Sequence, residues 1–156
     1  MRLKSLFLAA AAVGSIAACE DDSTGPDEIT YTATLNGANE RPDPVTTTAT
    51  GTFTGTLDTE TNVMEYTVTW QNLSSVSNNA HIHGPTAATG NATAGVLIDF
   101  NSGGRTMTHG TSGTATGTID LDLVTANAAV SGDSLRKLLD AGRSYVNIHS
   151  VNNPGG

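Results

Sequence analysis

Cysteine occurs once in the 156 residues, at Cys19, so no disulfide can form within the chain. Aromatic residues are 4% of the composition, three Phe, three Tyr and the single Trp70. A core with so few rings has to be built from Val, Ile, Leu and Ala around Trp70, Phe53 and Tyr66. Basic charge is scarce as well: 7 Lys and Arg stand against 15 Asp and Glu, a formal charge of −8. Nucleic acid and anionic headgroups repel such a surface, which argues against nucleic acid as a partner. No apolar run is long enough for a comfortable membrane span, which takes roughly 20 residues. The longest, Leu6 to Ala18, is broken by Gly14 and Ser15. No Gly-rich phosphate loop opens a helix, and no G-x-S-x-G elbow offers a nucleophilic serine. Asp58, Glu60 and Glu65 have no partner pattern and read as a solvated face.

What stands at the N-terminus is a leader. Arg2 and Lys4 precede the apolar run and small residues close it, the plan of a signal peptide over residues 1–18. "IAAC", Ile16 to Cys19, resembles the bacterial lipobox, an aliphatic residue and two small ones before cysteine. The resemblance implies cleavage before Cys19, lipid on its sulfur and an acylated amine; the alternative is an ordinary secretory signal beside a chance cysteine. Several acyl chains anchor a protein stably where one does so only marginally. The membrane is then a partner through lipid on Cys19, and the expected location is the bacterial cell envelope, after export. Cleavage removes Arg2 and Lys4, leaving 5 basic against 15 acidic side chains, a formal charge of −10. Residues 19–28, with the acidic "EDDSTGPDE" (Glu20 to Glu28), have nothing to bury and read as a flexible tether to a domain over residues 29–156.

From Ile29 the apolar period becomes two. Ile29, Tyr31, Ala33 and Leu35 alternate with threonines, the pattern of a half-buried strand. "NGANERPDP" is turn chemistry. A strand over residues 46–58 puts Ala49, Gly51, Phe53, Gly55 and Leu57 on one face. "TETN" (Thr59 to Asn62) then turns the chain into a strand that groups Met64, Tyr66, Val68 and Trp70, making a β-hairpin. Further strands are expected over residues 80–83, 95–100, 105–109, 113–123 and 145–149. Threonine, β-branched, suits the wet side of a pleated sheet. Short strands with frequent turns predict an all-β antiparallel sandwich or barrel. One segment departs from this: Leu135, Leu138 and Leu139 have helical spacing. They predict a short helix near residues 133–141, capped by Ser131 or Asp133 and ended by Gly142.

The chemistry candidates are histidines. In "NAHIHGP", His81 and His83 stand one residue apart. On a strand they share a face, roughly 6.6 Å apart at about 3.3 Å rise per residue, while Ala80 and Ile82 point the other way. Two imidazoles so placed can converge on zinc or copper, but such sites usually take three or four protein ligands. In "SYVNIHS", Tyr145, Asn147 and His149 alternate with Val146 and Ile148, so His149 can supply a third. His109, in "THGTSG", can complete the site or sit as a solvated loop residue. Without a metal, these histidines can equally occupy a wet face or bond to backbone carbonyls.

"ATLNGANERPDPVTTTATGTFTGTLD", "MEYTVTWQNLSSV", "AHIHGP", "GVLIDF" and "LLDAGRSYVNIHSVNNPGG" follow one another in the order and spacing of the CHRD domain, named for chordin. The chain resembles that family from about Thr30 to Gly156. The resemblance implies an immunoglobulin-like sandwich or barrel with a loose likeness to copper–zinc superoxide dismutases, in which an H-x-H strand and a late His contribute to the copper site. His81, His83 and His149 fall in comparable order. The dismutase's cysteine pair and its run of zinc-ligating His and Asp are missing here. The family also implies a last strand resembling "EIRGQL" after "NPGG", where this sequence stops at Gly156. Two readings remain. One is a non-enzymatic envelope lipoprotein that binds a protein or glycan partner or serves as a structural module. The other is a copper- or zinc-binding domain using His81, His83 and His149.

Overall fold

The computed structural model describes residues 27–86, 93–124 and 132–156. The expected signal peptide, Cys19, nearly all of the expected tether and the capping candidate Ser131 lie outside the described residues. In chain order the strands are β1 (Glu28–Asn36), β2 (Thr50–Asp58), β3 (Val63–Gln71), β4 (Ser77–His83), β5 (Val96–Asp99), β6 (Thr106–Met107), β7 (Gly113–Asp120) and β8 (Tyr145–Ser150). Among the described residues one α-helix, α1 (Gly132–Asp140), precedes β8. The strands make two antiparallel sheets, β1-β2-β3-β7-β6 and β5-β4-β8. The architecture is therefore an all-β sandwich; the two sheets do not join into a barrel.

Alternation decides which face each strand buries. Phe53 and Leu57 of β2, Met64, Tyr66, Val68 and Trp70 of β3, and Ala115 and Ile119 of β7 enter one core. Ala80, Ile82, Leu97, Ile98 and Ile148 meet them from the second sheet. Phe100, fully buried just after β5, is the ring at the centre: it lies 4.6 Å from Tyr66 and 6.3 Å from Phe53 between centroids. The opposite face of the larger sheet carries the threonines. Thr32, Thr54, Thr67 and Thr116 stand side by side across four strands, and Thr52 and Thr69 share a hydrogen bond of 2.9 Å.

The β2–β3 hairpin turns where the sequence places it. Asp58 Oδ1 accepts from the backbone N–H of Glu60 and Thr61, at 2.8 and 3.0 Å, and Asn62 takes the left-handed conformation at φ 59°. The strand glycines are spaced to fit the rings of β3. Trp70 is registered against Gly51 on one side and Gly113 on the other, and Tyr66 against Gly55 and Gly117. "GTFTG" and "GTATG" thus leave the space that "YTVTW" fills.

Several strand ends differ from expectation. The strand expected over 46–58 begins only at Thr50, because β1 ends opposite it at Asn36. Upstream, the Val45 N–H goes to the Gly37 carbonyl and that of Ala49 to Thr47 Oγ1. The strand expected over 105–109 shrinks to two residues, since Arg105 N–H closes a turn onto Ser102 O. The strand expected over 113–123 stops at Asp120, whose carboxylate caps a 3-10 turn, Leu121–Leu123, by accepting from Asp122 N–H at 3.0 Å. Strand β4 starts earlier than expected, at Ser77. The helix lies where the leucines place it, with Leu135 fully buried. Gly142, at φ 61°, donates to Leu139 O and Arg143 to Leu138 O, a Schellman ending.

Candidate metal centre

The site follows from the packing of two neighbouring strands. Ala80 and Ile82, at 0% and 1% exposure, are pulled into the core, which turns His81 and His83 to the other face of β4. Strand β8 runs antiparallel beside it, with Asn79 opposite His149 and His81 opposite Asn147. Ile148 is buried, so His149 emerges on the face that carries the H-x-H pair. One ligand-capable nitrogen from each of His81, His83 and His149 lies within 4.8 Å of the others. The rings meet edge to face: His81 is 5.3 Å from His83 and 4.6 Å from His149, and His83 is 5.8 Å from His149.

Hydrogen bonds fix the tautomers of two of the rings. His83 Nδ1 lies 2.9 Å from the Ala94 carbonyl and His149 Nδ1 lies 2.9 Å from the Pro154 carbonyl. A carbonyl only accepts, so both rings carry their proton on Nδ1 and leave the lone pair on Nε2. His149 Nε2 meets His81 Nδ1 at 2.8 Å. The Nε2 of His83 is buried and has no hydrogen-bond partner among the described residues. A buried polar atom without a partner calls for an explanation, and a role as a metal ligand is one. The far nitrogen of His81, Nε2, faces Asp99 Oδ1 at 4.0 Å. Burial, reinforced by the neighbouring imidazoles His149 and His83, lowers the His81 pKa to about 4, against the opposing pull of Asp99. Burial likewise lowers that of His83, while the Ala94 carbonyl and the Glu40 carboxylate oppose it. At neutral pH these two rings are therefore uncharged and keep lone pairs for a cation, the form a metal ligand needs. The donor set fits a borderline divalent ion such as zinc or copper.

His109 does not join the cluster. Its Nδ1 bonds to the Ser77 carbonyl at 3.0 Å and ties the β6–β7 loop to the start of β4. Sequence reading missed the residues behind the histidines. Tyr145 stacks flat on His83, centroids 4.9 Å apart, and Asn147 donates to Gly155 O at 3.0 Å, holding the C-terminal turn that presents Pro154. The alternation of "YVNIHS" places both beside His149, so that signal was present. Asp99 had none, since its position opposite His81 depends on the pairing of β5 with β4. A cavity of about 290 Å³ opens elsewhere, lined by Ala33 and Leu35 of β1, Val146 and Ile148 of β8, and Trp70; none of the three histidines lines it.

No curated protein and no solved structure matches the chain. The family model of the CHRD domain matches residues 31–156, from Tyr31 in β1 through both histidine motifs to the C-terminal turn, and the chain belongs to that family.

Proposed function

We propose that this chain is a lipid-anchored protein of the bacterial cell envelope whose CHRD domain acts as a non-enzymatic binding or structural module. The observation that carries this reading is the extent of the domain: it takes in residues 31–156, and what precedes it reads as a leader, a lipobox-like "IAAC" and an acidic tether. Among the described residues no helix is long and apolar enough to cross a membrane. The anchor in this reading is lipid on Cys19, after the lipobox-like "IAAC". The acidic surface is held at the bilayer by acyl chains rather than by basic residues. Metabolic labelling with a fatty-acid analogue tests this. Wild type should label and sediment with membranes, and Cys19→Ser should do neither; equal labelling of the variant refutes the anchor.

A second reading is favoured by the histidine cluster: a domain that holds one copper or zinc ion through His81, His83 and His149. The lone pairs left on Nε2 of His83 and His149, and the unpartnered burial of the former, support it. Metal analysis of the purified protein, beside the double variant His81→Ala/His83→Ala, should find one ion per chain that the variant loses. A melting temperature unmoved by Cu²⁺ or Zn²⁺ refutes it, because a ligand that binds the native state raises stability.

A further inference from the structure

The groups behind the three histidines are as ordered as the rings themselves. His83 and His149 are each backed by a main-chain carbonyl, from Ala94 and Pro154, at 2.9 Å. His81 is turned the opposite way round: its Nδ1 faces the centre, 2.8 Å from His149 Nε2, and its Nε2 faces Asp99 on the neighbouring strand. We infer, resting on the metal-binding reading above, that the site takes a divalent ion, copper ahead of zinc, through a mixed donor set of His81 Nδ1, His83 Nε2 and His149 Nε2, with Asp99 as the positioning residue for His81.

The donor spacing suits this. Two nitrogens bound to one ion at about 2.0–2.1 Å are at most about 4.2 Å apart. One nitrogen from each ring lies within 4.8 Å of the others, and His81 Nδ1 and His149 Nε2 are 2.8 Å apart, so side-chain movements of about 1 Å close the site. Without metal, the short His81–His149 contact needs a proton between two nitrogens that both carry lone pairs. Since His149 keeps its proton on Nδ1, that proton belongs to His81 Nδ1. An ion arriving at the centre displaces it, and His81 must carry its proton on Nε2 instead. Asp99 is the group that faces that atom, so its carboxylate accepts the relocated proton's hydrogen bond once the ring swings by the small amount needed to shorten 4.0 Å. His81 thereby changes tautomer without changing its net protonation. A carboxylate behind a ligating imidazole orients the ring and makes it a better donor. Three neutral imidazoles with no thiolate or carboxylate among them rank Cu²⁺ above Zn²⁺ in affinity.

The test uses the purified protein, Cu²⁺ and Zn²⁺ salts in separate titrations, and the variants Asp99→Asn and His109→Ala. Wild type should bind one ion, copper more tightly. Asp99→Asn keeps an oxygen at Oδ1, the atom that accepts from Asn101 N–H and faces His81, so the strand end stays folded; it removes only the carboxylate charge that makes His81 the better donor, and should weaken binding about 10–100-fold. His109→Ala should bind as wild type does. Imidazole nitrogen shifts measured by NMR give a second readout: in the metal-free protein His83 and His149 should be Nδ1–H tautomers, and on loading His81 should become the Nε2–H form. Stoichiometric binding with Asp99→Asn unchanged, or His81 remaining Nδ1–H when loaded, overturns the donor assignment alone. No ion bound by wild type overturns the metal reading beneath it.

Discussion

Replacing Gly113 with alanine should destabilise the domain through one indole ring. A Cβ built there lies 2.5 Å from Trp70 Cζ2, 2.8 Å from Cε2 and 2.7 Å from Thr108 Oγ1. Trp70 is 3% exposed and its Nε1 donates to the Gly110 carbonyl at 3.3 Å, so the ring has little room and something to lose by moving. Overpacking of this kind costs about 1–3 kcal/mol. Loss of the indole hydrogen bond adds about 0.5–1.5 kcal/mol. The stiffer unfolded chain gives back about 0.4–1 kcal/mol. The net is about 0.5–4 kcal/mol, or a fall in Tm of about 2–16 °C for a domain of this length. Trp70 is the only tryptophan, so thermal unfolding followed by its fluorescence reports both the stability and the displaced ring. Gly155→Ala is the control, since its added Cβ meets nothing within 4 Å. Adding Trp70→Phe to Gly113→Ala should recover part of the loss, because the smaller ring vacates the overlap, and a double-mutant cycle measures the coupling. A Gly113→Ala protein with the Tm and emission of wild type would refute the argument that the strand glycines exist to seat the rings of β3.

Acid should weaken the metal-free protein between about pH 6.5 and 4. His81 titrates near 6.5 when unfolded and near 4 when folded, so in that window the unfolded chain binds the extra proton and stability falls as pH falls. The lowered pKa of His83 acts in the same direction. Allowing for solvent screening at a partly open site, the His81 contribution is about 1–2 kcal/mol, read by urea unfolding at several pH values; a flat profile contradicts it. His109→Ala should cost about 1 kcal/mol by leaving the Ser77 carbonyl without its side-chain donor, seen as a lower urea midpoint at unchanged slope. Leu135→Ala removes the fully buried anchor of α1 and should cost about 2–5 kcal/mol, with helical circular dichroism lost before the sheet signal. Simultaneous loss of both signals would show that the helix is not a separate docking unit.

Much of the sandwich was legible because its strands are amphipathic. The period of two in "ITYTATLN", "GTFTGTLD" and "VMEYTVTW" names the buried face of each strand before any partner is known. Strand ends were less legible, since they depend on partners: β2 cannot begin before Thr50 when β1 ends at Asn36. The role of Phe100 was hidden for a related reason. It follows β5 rather than sitting in the alternation, and only the closure of the two sheets brings it onto Tyr66.

The candidate site divides along the same line. The sequence by itself determined that His81 and His83 share a face, that His149 stands on the corresponding face of its own strand, and that Tyr145 and Asn147 stand beside it. Those are consequences of backbone pleating within single strands. Only the tertiary structure decided that β8 lies next to β4, that His109 is occupied with Ser77, and that Asp99 faces the back of His81. The tautomers belong to the tertiary structure too, because they are fixed by carbonyls of Ala94 and Pro154, whose positions come from loop paths that carry no side-chain signature. Periodicity is local and can be read along one strand; register between strands, and the main-chain groups it brings behind a ring, is a property of the assembled sheet.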